Sequence, residues 1–72
     1  MLVPQDIGHR VVVRRVVGIR HGRPVFSDLI GELTRLTDTQ LTVATRRGEV
    51  TVERDAVVAA KRIPPRPHIP PR

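Results

Sequence analysis

A chain of 72 residues holds one domain at most, and at this length folding buries only about 60% of the surface the unfolded form exposes. The absence of cysteine excludes a disulfide framework and a thiolate zinc site, and makes a reducing cytoplasm the expected compartment. Thirteen basic residues against seven acidic ones, a formal charge of +6, permit attraction to phosphate backbones, anionic lipid or an acidic protein face without choosing among them.

The start, MLVPQDIGHR, lacks a basic segment followed by an apolar one, and no apolar run approaches the roughly 18 residues that cross a bilayer, so neither export nor a membrane partner is expected. Twelve of the thirteen basic residues are arginine, and with abundant valine and alanine this has the look of a GC-rich bacterial genome. Ile7-Gly8 is a turn signal that can launch a strand. His9 to Val17 is rich in β-branched residues, with Val11 and Val13 on one face and Arg10, Val12 and Arg14 on the other, which predicts the first strand. Residues 18–27 carry two glycines and a proline without helical periodicity and read as a long excursion between strands.

From Asp28 to Leu36 the apolar positions Leu29, Ile30, Leu33 and Leu36 fit no single period, and a bulge at Gly31 in a bent strand would switch the inward face partway. Thr37-Asp38-Thr39 follows as a turn. Leu41, Val43 and Thr45 then alternate with polar neighbours, as do Val50 and Val52 after Arg47-Gly48. A two-residue loop at Arg47-Gly48 would set Val43 opposite Val52 and Thr45 opposite Val50, with Arg46 facing Glu49 and Thr42 facing Glu53 on the other side. Asp55-Ala56-Val57 fits a single helical turn, and Val58 to Ile63 a last short strand. Pro-rich residues 64–72 read as an extended polyproline-type tail.

Five short strands with a long first loop and a helical turn before the last predict an all-β fold, a small five-stranded SH3-like barrel over residues 6–63 between an N-terminal extension (1–5) and the tail. Its expected core is Val11, Val13, Ile30, Leu33, Leu41, Val43, Val50, Val52 and Val58. Stability should be modest, because burial of about 2 kcal/mol per aliphatic side chain is largely cancelled by chain entropy.

The runs DIGHRVVVRR, GRPVFSDLIGELTRL and LTVATRRGEVTVERDAVVAAKRIPP resemble the N-terminal SH3-like domain of a group of actinobacterial GNAT-family acetyltransferases, most tellingly in FSDLIGEL (26–33) and VVAAKRIPP (57–65). In that family the barrel precedes the domain that holds acetyl-CoA. The resemblance covers residues 6–65 and implies an accessory module that docks on an acetyltransferase domain in cis or trans, with the tail as an interdomain linker. No stretch resembles the pyrophosphate-binding loop of the catalytic fold, so no acetyl-transfer role passes to any residue and no cofactor is expected.

His9, His21 and His68 have no metal-motif spacing, and Ser27, the only serine, lacks a base held in a cleft, so exposure outweighs ligation and catalysis. Asp28, Glu32, Glu49, Glu53 and Asp55 read as a solvated surface rather than as acid–base pairs. Phe26, the only aromatic residue, reads as packing that anchors the first loop. Without further aromatics the barrel can neither line a groove for Pro-rich peptides nor stack bases. The spacing Lys61-x-x-Pro64-x-x-Pro67 matches Pro-rich SH3 ligands, but a stiff linker is the stronger reading.

Arg10, Arg14, Arg15, Arg20, Arg23, Arg46 and Arg47 are the expected binding surface, and Arg14, Arg20 and Arg23 are expected to serve binding more than folding. Two functions follow. One is a non-catalytic docking module for a protein partner; the other is a small basic barrel of the Sm-like or KOW-like kind that contacts nucleic acid, at least weakly and nonspecifically.

Overall fold

The computed structural model describes residues 2–65. A short 3-10 turn (Pro4–Asp6) precedes β1 (Arg10–Arg20), β2 (Arg23–Leu36), β3 (Gln40–Thr45) and β4 (Gly48–Glu53). A second 3-10 turn (Arg54–Ala56) leads into β5 (Val57–Arg62). The expected all-β class with five strands is what the chain adopts. All neighbouring strands are antiparallel in one sheet of order β4-β3-β2-β1-β5, so the hydrogen-bonded ladder is linear, with β4 and β5 at its ends. Among the described residues no helix is long and apolar enough to cross a membrane.

A single sheet with no covering layer can bury side chains fully only by curling over one of its own faces. The inward face does this: Val11, Val13, Leu33 and Val43 are 0% exposed, and Leu41, Val52 and Leu2 complete the core. Val11 and Val13 sit inward and Val12 outward, as their alternation predicts. Leu2, outside the expected core, reaches it because the first 3-10 turn folds the start of the chain back. Asp6 fastens that turn, accepting the Val3 N–H at 2.8 Å and the Arg62 Nε and Nη2 at 3.0 and 2.8 Å. The Val3 bond is the main reason the Asp6 carboxyl lies below its ordinary range; Arg62 adds to the effect, and burial opposes it.

Two expected core residues are exposed. Ile30 (46%) pairs with Val12 and so shares its outer face, and Val58 (53%) is the unpaired residue where the β1–β5 register shifts between Arg14–Ala59 and Arg15–Val57. Val50 is only half-buried against the core. The switch of inward face along β2 does occur, but at Thr34, which is skipped between the pairs Leu33–Val43 and Arg35–Thr42. Gly31 is not the bulge. It pairs regularly with Val11, and a Cβ there would run into the Ala44 carbonyl oxygen, so glycine lets β3 cross close over β2.

The Thr37-Asp38-Thr39 turn forms, closed by a 2.8 Å bond from the Thr37 N–H to the Gln40 carbonyl. The β3–β4 hairpin has the expected faces but a register moved by two residues. Its loop is Arg46-Arg47, and Val43 pairs with Val50, Leu41 with Val52, and Thr45 with Gly48. Gly48 supplies the positive φ (121°) just after the loop, a place where a β-branched or long side chain would be strained. The expected pairs Arg46–Glu49 and Thr42–Glu53 do not form. Instead the Gln40 Nε2 donates to Glu53 at 2.9 Å, and the Thr42 and Thr51 hydroxyls bond at 2.9 Å. The second 3-10 turn begins at Arg54, one residue before expectation, with no side-chain cap at its start.

The long loop expected at 18–27 is absent. β1 and β2 continue to Arg20 and Arg23 and close on His21-Gly22, whose φ values of 52° and 74° give the primed turn that matches strand twist. The expected polyproline tail falls on residues 66–72, outside the described residues; Pro64 and Pro65, at its start, are in no regular element.

Candidate docking surface

β1 pairs with β5 only over Val11–Arg15, and β2 meets β3 only from Glu32 onward, so among the described residues the distal parts of β1 and β2 pair with each other alone. They form a two-stranded arm in a molecule whose longest dimension is 50 Å. Cross-strand register sets what its outer face displays. Ile30, Asp28, Phe26 and Pro24 alternate along β2, facing Val12, Arg14, Val16 and Ile19 of β1. The result is three apolar pairs with one ion pair set among them.

That stripe is open to solvent: Phe26 is 47% exposed and Ile19 78%. Phe26 is therefore not the loop anchor its sequence context predicts, because there is no loop for it to anchor. Exposed apolar side chains scattered singly need no explanation, but ones gathered on one face by strand register are of the kind that marks interaction sites.

The seven arginines of the expected surface fall in different settings. Arg14 is committed, its Nε and Nη2 donating to the two Asp28 carboxylate oxygens at 2.9 and 3.2 Å. This bond lowers the Asp28 pKa and raises that of Arg14. Arg10 donates to the Pro64 carbonyl at 3.2 Å. Arg15 is half-buried, and its Nε has no hydrogen-bond partner among the described residues. Arg20 and Arg23 face each other at the arm's tip, flanking the turn. Like charges directly opposite are unfavourable, so the tip carries a small local cost. Arg46 and Arg47 form the exposed β3–β4 turn; Arg46 shares a groove with Arg10, Glu32 and Ile30. Around the base of the stripe, Arg10, Arg14 and Lys61 are offset by Asp28 and Glu32, leaving a nearly balanced face on a strongly basic chain.

Ser27 lies half-buried in β2 opposite Arg15, while His21 sits at the far end of the arm in the turn, so the two do not meet. No group of three metal-binding side chains comes together among the described residues, and His68 lies outside them. The arm is the feature that sequence reasoning missed. The His21-Gly22 dipeptide was its one cue, a glycine preceded by a residue type that tolerates positive φ. No family model matches the chain, and neither do any curated protein or any solved structure.

Proposed function

We propose that this chain is a non-catalytic, SH3-like docking module of the bacterial cytoplasm that meets a protein partner with the outer face of the β1–β2 arm. The observation that carries this reading is the register-aligned stripe of Val12–Ile30, Val16–Phe26 and Ile19–Pro24 around the Arg14–Asp28 pair. Apolar side chains flanking a few polar ones are the composition of a protein interface, and a face of nearly balanced charge does not single out phosphate. The resemblance of residues 6–65 to the accessory domain of GNAT-family enzymes supplies the partner, an acetyltransferase domain in cis or trans. Titration of that purified domain against the chain tests the reading. Phe26→Ser with Ile19→Ser should abolish binding, and replacing Arg14, Arg20 and Arg23 by serine should weaken it at physiological salt. Undiminished binding by both variants would refute the surface.

A second reading is favoured by the facing Arg20–Arg23 pair at the tip, which phosphates would relieve. A basic two-stranded ribbon can enter a nucleic-acid groove. Titrating labelled RNA and DNA across salt concentrations separates the two readings, because phosphate neutralisation predicts a steep loss of affinity with salt. No binding at low ionic strength removes this second one.

A further inference from the structure

Between Pro24 and Gly31 the side of β2 facing away from β1 has no partner strand among the described residues, since β3 joins only at Glu32. Backbone direction along this edge follows from one bond. The Leu33 N–H donates to the His9 carbonyl at 3.0 Å, on the β1 side, so Gly31, Leu29, Ser27 and Val25 also point their polar groups toward β1. Phe26, Asp28 and Ile30 point theirs away. Pro24 belongs to this outward set, where its missing N–H costs no ladder bond and ends the usable edge.

The edge does not open onto bare solvent. The close crossing at Gly31 brings the β3–β4 turn over it, and a groove of about 390 Å³ runs between Ser27–Ile30 and the turn. Half-buried Leu29 and Val50 contribute apolar wall, and exposed Arg46 and Arg47 form the rim. The one carboxylate in the groove, Asp28, is already neutralised by Arg14.

We infer that this groove captures a short extended segment of an acidic partner protein, which adds as a strand to the Phe26–Ile30 edge while its carboxylates meet Arg46 and Arg47. Alternating free N–H and C=O groups are matched by another peptide backbone and not by a phosphodiester, which only accepts. A second copy of this chain is disfavoured, because edge-to-edge pairing would bring two Arg46-Arg47 turns together. The inference rests on the docking reading but uses the outward backbone edge of β2, whereas the stripe uses the side chains of the outer face.

The test is fluorescence anisotropy with a labelled, end-blocked heptapeptide of alternating valine and glutamate. Binding should weaken about tenfold in the double variant Arg46→Glu, Arg47→Glu, and by a similar factor for the valine–lysine peptide. Methylating alternate backbone nitrogens of the acidic peptide, which keeps its charge, should abolish binding. Amide resonances of Phe26, Asp28 and Ile30 should move on titration of the unmodified peptide. Equal binding of the methylated peptide or of the lysine peptide, or no binding by the unmodified one, would overturn the inference. Retained capture of the acetyltransferase domain in that last case would leave the docking reading standing; loss of capture in the Phe26→Ser, Ile19→Ser variant with unchanged peptide binding would separate the two surfaces.

Discussion

β1 runs through two environments without a break. Its first half, Arg10–Val13, lies between β2 and β5 and sends Val11 and Val13 into a core where neither retains any exposure. Beyond Arg15, β2 is the only strand among the described residues that pairs with it, and from Val17 to Arg20 every residue is exposed. The same β-branched chemistry that stabilises the fold at one end is therefore left on display at the other. A two-stranded ribbon is marginal by itself, so the arm is held by its continuity with the packed half and by its primed turn. Few buried contacts also place the arm among the segments expected to open first, with amide exchange faster there than in β3.

Substitutions should separate the two regions sharply. Leu33→Ala empties the centre of the packed half and should cost about 3–4 kcal/mol by urea unfolding, enough to unfold much of so small a domain. A cost under ~1 kcal/mol would mean the core is not where the curl places it. Gly31→Ala, at the boundary, forces a Cβ onto the Ala44 backbone and should cost about 2–3 kcal/mol, disrupting the β3–β4 crossing and with it the edge groove. A stability gain, as replacing an unconstrained glycine would give, would contradict the close approach.

Acid should act on the packed half through Asp6. Its folded pKa is depressed, so its contribution is complete above the unfolded value and disappears as pH falls through the folded one, that is, below about 4. Asp6→Asn should lower stability at neutral pH and flatten the pH dependence in that acid window. Denaturant midpoints measured from pH 7 down to 2 check both effects. On the arm the Asp28 pKa is lowered in the same sense by its bond to Arg14, but that pair is exposed and screened by salt, so Asp28→Asn should leave the acid curve almost unchanged. Smallest of all, Phe26→Ser should move stability by less than ~0.5 kcal/mol while removing partner binding. A large destabilisation would show that Phe26 packs after all.

This division also explains what could be read from the residues alone. Where one face is buried and the other wet, alternation reports it, and Val11, Val13, Leu41, Val43 and Val52 were legible for that reason. Alternation fixes a face but not a register, because moving a pairing by two residues keeps every side chain on its side. The β3–β4 loop was accordingly misplaced onto Arg47-Gly48 although both strands were found. On the arm neither face is buried, so no contrast exists to read, and residues 18–27 read as loop although only His21-Gly22 is one. Of the candidate site, the arginines were visible as a composition. Their separate fates depend on partners distant in the chain, such as Asp28 for Arg14 and Pro64 for Arg10.

The Asp6–Arg62 clasp joins residues 56 positions apart, at the end of β1 opposite the His21-Gly22 turn. Both the entry to the fold and the exit from β5 consequently leave from one pole, and the arm extends from the other. A tether joined where the chain enters or leaves this pole would hold the domain with the tip of its arm facing outward.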